Sequence, residues 1–239
     1  MNTIYPIHFV DIETTHLNPE SGEIIEIAIL TSKDGGRTIE SRFETKIKPA
    51  HLEKADPKSL EVNGYKESEW HAAPTWEEMA PKIHKMLYYG IIAGHNVFFD
   101  WRWLDYHIRR TTGKGISYLK FDTQALVWEH LNTKSASLKS LRNHYQISHD
   151  NAHTALKDIE DTYHIFKTLV YPDCPIKDHL KDKIRRSEEL GLHVLGITID
   201  EAKEIYRILA REPCAALMAI SCLNASLFLR CIVGVFWTR

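Results

Sequence analysis

The first fifty residues carry the apolar spacing of strands. Three β-rich segments cover residues 7–13, 23–30 and 38–47, and the Gly35-Gly36 pair lies between the last two. Paired glycines between two such segments are typical of a hairpin. The pattern therefore predicts an antiparallel meander of three strands at the start of the fold.

Helical spacing begins after Pro49 and alternates with short apolar runs. A short helix is expected at Asp56-Pro57, and Thr75 followed by Glu78 has the form of a capping box at the start of a longer one. Later segments predict a strand over 91–95, an aromatic-rich helix through residue 108, a fifth strand over 119–123, and helices over 124–131, 137–145 and 152–170. This order predicts an α/β fold with a mixed five-stranded sheet flanked by helices.

A change of composition at Tyr171-Pro172 predicts the end of this domain at about residue 172. Residues 173–213 are polar with helical patterns, and we expect a C-terminal helical extension there. Residues 214–239 form an apolar tail. Arg230 is the only charged residue in its sequence from Cys214 to Trp237.

Three interpretations of the tail stay open: a helix packed on this domain or a partner, a membrane anchor, or a non-native, frame-altered end. Its uncharged part, 214–229, would be about 24 Å long as a helix, against the roughly 30 Å of a bilayer core. Membrane contact through this tail would therefore place Arg230 near one end of the span.

Composition excludes disordered and fibrous classes. The chain has 239 residues, of which 44% are hydrophobic and 26% charged, as in ordinary globular proteins. Its 30 Lys and Arg residues against 32 Asp and Glu residues give a net charge of −2. The overall charge therefore supplies no basic field of the kind that attracts nucleic acid.

Cysteine usage indicates a reducing, cytoplasmic compartment. The first 173 residues contain no cysteine, and the four that follow show neither a Cys-x-x-Cys pair nor zinc-ligand spacing: Cys174, Cys214, Cys222 and Cys231. The N-terminal residues lack the basic and apolar regions of a signal peptide. Histidines at positions 107, 130, 144, 149 and 164 also lack zinc spacing, so we expect them to be solvated or packed.

Three acidic residues stand where predicted strands end. Asp11 and Glu13 are two residues apart at the end of the first strand, so their side chains project from one face and repel each other unless a cation lies between them. Asp100 follows the strand that ends near Gly94. The alternative for the pair is a solvated strand end, and the alternative for Asp100 is a helix cap.

His153 and Asp158 lie at the beginning of the last main helix. In a continuous helix five residues rotate by about 500°, which leaves the two side chains about 140° apart. If both serve one site, His153 must precede the regular helix in a loop, with Asp158 in the second turn. Asp150 and Asn151 would cap such a helix. The alternative for a lone histidine is a surface position.

Taken together, these segments resemble the DEDDh exonuclease family, which includes epsilon-type proofreading exonucleases, ribonuclease T and the TREX enzymes. The family's Asp-x-Glu-Thr-Thr-Gly motif corresponds to residues 11–16, its Asn-x-x-Phe-Asp motif to 96–100, and its His-x-Ala-x-x-Asp motif to 153–158. Weaker similarities occur at Asn63-Gly64-Tyr65 and Asp122-Thr123, and the resemblance covers about residues 5–170. Thr154 stands where the tyrosine branch of the family has its tyrosine, and His16 replaces the usual glycine.

The resemblance implies an RNase H-like fold and a 3′–5′ exonuclease that releases 5′-mononucleotides from single-stranded or frayed 3′ ends of DNA or RNA. It implies two Mg²⁺ or Mn²⁺ ions, whose positive charge would make the near-neutral chain compatible with a nucleic-acid substrate. The residues that the resemblance assigns to this site are four metal ligands, Asp11, Glu13, Asp100 and Asp158, and the general base His153.

The same resemblance implies substrate contacts at Thr14, Thr15, His16, Leu17, Asn96 and Phe99. Leu17 would wedge against the terminal bases, and the alternative for it is a core position. For the aromatic residues 98, 99, 101 and 103 we expect core packing rather than a stacking platform. Two alternatives stay open for the whole chain: an inactive or accessory nucleic-acid-binding module of a replication or repair complex, and a proofreading subunit of a polymerase supplied in trans.

Overall fold

The structure, a computed structural model, describes residues 5–131, 133–150 and 152–171. These residues belong to two compact units, one containing 5–124 and 133–165 and the other containing 125–131 and 166–171. The predicted extension over 173–213, the apolar tail over 214–239, the boundary at 172 and all four cysteines lie outside the described residues. Among the helices that are described, none combines the length and hydropathy needed to span a bilayer.

The first unit contains a mixed sheet of five strands, which confirms the predicted architecture. Its strands are β1 (Ile7–Thr14), β2 (Ile24–Ser32), β3 (Ser41–Lys46), β4 (Ile91–Gly94) and β5 (Lys120–Asp122), in the spatial order β3-β2-β1-β4-β5. β1 pairs antiparallel with β2, which pairs antiparallel with β3, whereas β4 is parallel to both β1 and β5. β1 therefore lies in the centre of the sheet and joins its antiparallel and parallel halves.

The connection from β2 to β3 is longer than the sequence pattern predicts. Asp34 accepts hydrogen bonds from the backbone of Arg37 and Thr38 and from the Thr38 hydroxyl, which binds these residues into the loop. Side-chain acceptors of this kind compete with the ladder of a sheet. β3 consequently begins at Ser41 rather than at Thr38.

The predicted helices are present with small changes at their ends, and the structure adds a short helix over Glu67–Trp70 and a 3₁₀ turn over Leu52–Lys54 that the sequence pattern did not predict. The helices are α1 (Pro57–Val62), α2 (Glu67–Trp70), α3 (Trp76–Leu87), α4 (Val97–Thr112), α5 (Thr123–His130), α6 (Leu138–Tyr145) and α7 (Ala155–Val170). The capping box predicted at Thr75 and Glu78 is present at the start of α3. α7 begins later than predicted, so His153 precedes it.

The core of the first unit forms where α3 and α4 pack together and α4 packs on β1, β4 and β5. Trp103 is fully buried, and Phe99 and Trp101 pack partly buried against the same core, as expected. Phe98 is 60% exposed, so the expectation of core packing was wrong for this residue. Residues 97, 100, 103, 104 and 108 form the buried face of α4, and helical periodicity turns Phe98 away from it.

Candidate active site

Two carboxylates of β1 point to the same side of the sheet near the strand's end. Asp11 and Glu13 flank the buried Ile12, as strand alternation requires. Asp158, in α7, joins them from a distant part of the chain. One carboxylate oxygen from each of Asp11, Glu13 and Asp158 can be chosen so that all three lie within 4.8 Å of one another. The structure thus brings three of the four predicted metal ligands within reach of one cation.

The fourth predicted ligand, Asp100, lies beside this cluster but is not one of the three. It is buried in the first turn of α4, and its Oδ1 accepts the backbone N–H of Ile12 at 3.1 Å. The bond attaches the carboxylate to β1 between Asp11 and Glu13. Asp100 therefore connects the beginning of α4 to the acidic strand.

Burial, together with neighbouring negative charges, raises the pKa of Asp11, Glu13 and Asp100. Loss of solvation, followed by the nearby charge of Asp100, raises the pKa of Asp11 well above its usual range. Desolvation and the charges of Asp158 and Glu26 raise the pKa of Glu13 to about 9. Desolvation likewise raises the pKa of Asp100 to about 8, although its bond from Ile12 opposes the change.

A cluster of partly buried carboxylates suits a hard divalent cation. Oxygen ligands are those that Mg²⁺, Mn²⁺ and Ca²⁺ prefer, and a bound positive ion favours the ionised forms of the carboxylates. Within the described part of the chain, this acidic cluster is the one group of three or more His, Cys, Asp and Glu residues with metal-binding geometry. No histidine of the described residues belongs to this group.

His153 occupies a left-handed turn immediately before α7. Its φ is 66°, and its backbone N–H donates to Oδ1 of Asp158 at 3.1 Å. The prediction that His153 precedes the regular helix is confirmed. The predicted position of Asp158 was wrong by a turn, because the later start of α7 leaves this residue in the first turn.

A residue that the sequence analysis did not identify holds the beginning of α7. Oε1 of Glu26, on β2, accepts the backbone N–H of Ala155 at 3.0 Å. Glu26 is the cross-strand neighbour of Glu13. Asp150, which we expected to cap the helix, instead bonds to Ser148, and Asn151 lies outside the described residues. No local pattern points to Glu26, since its partner is more than a hundred positions away.

Arg142 is a second residue that sequence patterns did not identify. It belongs to α6, and its side chain is 2% exposed. Its Nη2 lies 2.5 Å from Oδ1 of Asp158, and its Nε lies 2.7 Å from Oδ2 of Asp161. A guanidinium group thus contacts a member of the acidic cluster from the side of the protein interior.

The turn between β4 and α4 is held by the residues of the weaker Asp122-Thr123 similarity. Asp122 Oδ1 accepts the backbone N–H of Asn96 at 2.9 Å, and the Thr123 hydroxyl donates to the Gly94 carbonyl at 3.0 Å. Asn96 itself is exposed with a left-handed backbone, φ 66°. Phe99, the other predicted substrate contact here, is partly buried against the core.

The loop after β1 carries the remaining predicted substrate contacts. Thr14 and Thr15 are buried, and Thr15 exchanges backbone and side-chain hydrogen bonds with Glu23. Asn63, from the weaker Asn-Gly-Tyr similarity, donates its side-chain amide to the Thr14 carbonyl at 2.9 Å. Leu17 is 71% exposed, so a core position for it is excluded.

His16, which stands where the related motif has glycine, is accommodated by a glycine elsewhere. A Cβ atom placed on Gly22 would lie 2.6 Å from the Cβ of His16 and 2.9 Å from Trp103 Cη2. Such separations are too short for carbon atoms. The larger residue at position 16 therefore depends on the absence of a side chain at position 22.

A groove of about 550 Å³ is lined by His153 and by Glu26, the cross-strand neighbour of Glu13. His153 lies at its edge with Asn63, and Trp70, Lys46 and Lys157 contribute to its walls. Lys46 Nζ lies 3.8 Å from the centre of the Trp70 ring. The lining has mixed charge, because it also contains the lysine Lys66 and four glutamates, Glu26, Glu44, Glu69 and Glu160.

Comparison with protein families shows the same segments in known nucleases. The exonuclease family model RNase_T matches residues 9–166. A DNA polymerase III PolC-type protein of Thermotoga petrophila is 32% identical over 161 residues, which cover 67% of this chain and 12% of that protein. Ribonuclease T of Buchnera aphidicola is 31% identical over 186 residues, covering 70% of this chain and 84% of that protein. The chain thus spans about an eighth of the PolC-type relative and most of the ribonuclease.

Among solved structures, the zinc-bound complex of E. coli exonuclease I with single-stranded DNA resembles this chain with a TM-score of 0.64. The sequences are 20% identical, and the likeness covers 78% of this chain and 45% of that chain. At this identity the likeness concerns the fold alone. It confirms the RNase H-like exonuclease fold that the sequence motifs imply.

Proposed function

The chain belongs to the exonuclease family, and from this premise we propose that it is a 3′–5′ exonuclease that releases 5′-mononucleotides from nucleic-acid ends. The observation that carries the proposal is the convergence of Asp11, Glu13 and Asp158 within reach of one cation, with His153 in the adjoining turn. These four residues come from two segments that are far apart in the sequence. A purely structural role would not require three partly buried acids to converge in this way.

We propose that Asp11, Glu13, Asp100 and Asp158 hold two Mg²⁺ or Mn²⁺ ions. The pKa values of Asp11, Glu13 and Asp100 are raised, chiefly by loss of solvation and in part by neighbouring negative charges, and this supports the assignment because a divalent cation would favour the ionised forms. When bound, the ions would supply positive charge to the scissile phosphate and to the oxygens of the displacement. Asp100 would contribute from its fixed position on the β1 backbone.

We propose that His153 is the general base that accepts a proton from the attacking water. Its side chain is near the groove, and the backbone bond to Asp158 fixes the turn that carries it. General-base groups typically contribute about 10²- to 10⁴-fold to a rate. Attack by water followed by departure of the 3′ oxygen cleaves the bond and leaves the phosphate on the released nucleotide.

For the substrate we propose a single-stranded or frayed 3′ end of DNA or RNA. The exposed Leu17 would contact the terminal bases. The other proposed substrate contacts are Thr14, Thr15, His16, Asn96 and Phe99. Lys46, Lys66 and Lys157 line the groove of about 550 Å³ and would supply positive charge to phosphates of the strand. The exonuclease I relative was solved with single-stranded DNA, which supports this class.

The test uses the full chain with 5′-labelled single-stranded DNA and RNA oligonucleotides in Mg²⁺ or Mn²⁺. We expect a stepwise ladder that disappears without metal and in the variants Asp11→Asn and Asp158→Asn. Glu40→Gln, at an exposed ion pair away from the cluster, should leave the ladder unchanged. If the wild-type protein degrades neither polymer but still binds them, the accessory-module alternative replaces the proposal.

A proofreading role beside a polymerase is the second candidate. It rests on the PolC-type relatives, in which the matching segment is a small part of a much longer polymerase chain. The test compares primer–template duplexes with paired and mismatched 3′ ends. Preferential removal of the mismatched nucleotide, increased by an added polymerase, would support proofreading, whereas equal removal would exclude it.

A further inference from the structure

Arg142 is a buried cation that contacts the metal-binding cluster without belonging to it. Its side chain joins α6 to α7 through one ion pair with Asp158 and another with Asp161. Asp161 has a second cationic partner, since Lys157 Nζ lies 2.7 Å from its Oδ1. Two basic and two acidic groups thus form a charge-balanced network at the beginning of α7.

Such a network needs a reason, because burial of charges costs free energy that pairing only partly returns. Lys157 is available to pair with Asp161, so holding Asp161 does not by itself require Arg142. Of the two basic residues in the network, Arg142 is the one that contacts Asp158. Its position is therefore best explained by what it does to that carboxylate.

Arg142 and His153 share one oxygen of Asp158. The guanidinium Nη2 and the His153 backbone N–H both contact Oδ1, at 2.5 and 3.1 Å. Among the described residues, these bonds leave Oδ2 as the oxygen available to a cation. The arrangement fixes the rotation of the carboxylate and at the same time places a positive charge next to a ligand of a positive ion.

We propose that Arg142 is a positioning residue that shares Asp158 with the divalent metal: it orients this ligand and the turn of His153, and its charge weakens metal binding. The inference deepens the proposed function, since it takes Asp158 as a metal ligand. It has two opposite consequences. Removal of Arg142 should strengthen metal binding, because repulsion and competition disappear, and it should slow turnover, because Asp158 and His153 lose their fixed geometry.

Mn²⁺ binding to the full chain, measured by calorimetry in the absence of nucleic acid, tests the proposal directly. For Arg142→Met we expect a dissociation constant about tenfold lower than that of the wild type. In oligonucleotide assays at saturating Mn²⁺ the same variant should show a kcat about tenfold lower with little change in KM. A destabilised protein would lose Mn²⁺ affinity and kcat together. A higher Mn²⁺ affinity combined with a lower kcat therefore identifies Arg142 as a positioning residue.

Asp161→Asn is the matched control, because it breaks the other ion pair of Arg142 and leaves the contact with Asp158. It should not tighten Mn²⁺ binding. Arg142→Lys keeps the cation and should bind Mn²⁺ more weakly than Arg142→Met does. If Arg142→Met fails to fold, the charge-balanced double variant Arg142→Met with Asp161→Asn replaces it and should bind Mn²⁺ more tightly than the wild type.

Unchanged or weaker Mn²⁺ binding by a folded Arg142 variant would overturn the inference and leave the arginine a purely structural role. If the wild type binds no Mn²⁺, Asp158 is not a ligand and the inference fails as well. If the wild type binds Mn²⁺ but cleaves no nucleic acid, the exonuclease proposal fails, while the calorimetry still tests Arg142.

Discussion

The carboxylate of Glu26 on β2 accepts the backbone N–H of Ala155, the first residue of α7, at 3.0 Å. The free N–H groups at a helix start need an acceptor, and here a neighbouring strand supplies it. Burial raises the pKa of Glu26, and the bond from Ala155 opposes that change. The sheet therefore fixes the position at which α7 begins, and with it Asp158.

The first prediction concerns this bond. Glu26→Ala should cost about 1 kcal/mol of stability, as the loss of a helix cap does, and should lower kcat because the beginning of α7 is released. Glu26→Gln keeps an oxygen acceptor and should retain most of the activity. Thermal unfolding and single-stranded DNA degradation measure the two effects. Equal loss of activity in both variants would show that the charge of Glu26, rather than its bond to Ala155, matters.

The second prediction concerns His153. His153→Ala should reduce kcat by about 10²- to 10⁴-fold, since the general base is removed. Mn²⁺ binding and oligonucleotide affinity should change little, because the backbone N–H that contacts Asp158 remains. The exposed His51, which pairs with Glu53 away from the cluster, offers a control variant, His51→Ala, with unchanged rate. A loss confined to substrate affinity would assign His153 to binding.

The third prediction concerns pH and metal together. The pKa of Glu13 is raised to about 9 and that of Asp100 to about 8, so the folded protein keeps protons that the unfolded chain releases near pH 4. The contribution of Glu13 and Asp100 to the free energy of unfolding is therefore greatest at low pH. It is lost as pH rises through the raised pKa values. The Tm of the metal-free protein should fall between about pH 5 and pH 8.

Mg²⁺ should reverse this trend, because it stabilises the ionised carboxylates. The increase in Tm on addition of Mg²⁺ should be larger at about pH 8 than at about pH 5. In the variant Asp11→Asn with Glu13→Gln both the pH trend and the Mg²⁺ effect should be smaller. An Mg²⁺ effect of the same size at both pH values would contradict the assignment of these acids.

The fourth prediction concerns the space that Gly22 leaves for His16. Gly22→Ala should destabilise the fold by about 1 to 3 kcal/mol, the usual cost of overpacking. His16→Gly should recover part of that loss, because the 2.6 Å contact disappears while the contact with Trp103 remains. A double-mutant cycle in urea measures the coupling. Strict additivity would mean that the two positions do not constrain each other.

The fifth prediction concerns the exposed apolar residues near the site. Leu17→Ala and Phe98→Ala remove side chains that are 71% and 60% exposed, so stability should change little. If they contact substrate bases, KM for single-stranded oligonucleotides should rise by about five- to tenfold while kcat is nearly constant. Tyr118→Ala, at another exposed aromatic residue, is the control. An unchanged KM in both variants would place the strand elsewhere.

Local patterns in the sequence determined the order of the elements and the identity of the acidic residues. Strand alternation placed Asp11 and Glu13 on one face, and the Thr75 and Glu78 pair predicted the beginning of α3. These features depend on residues a few positions apart, so spacing alone reveals them. The motif resemblance assigned Asp100, His153 and Asp158 to one site with Asp11 and Glu13, a convergence that no spacing rule predicts.

The tertiary structure decided how those residues are held. Glu26 and Arg142 reach the beginning of α7 from β2 and α6, and Gly22 makes room for His16 across a loop. Such contacts arise only after distant segments pack, because a buried cation or helix start takes whichever partner the fold brings near it. Local periodicity specifies which side a residue faces, whereas the fold specifies what it meets there.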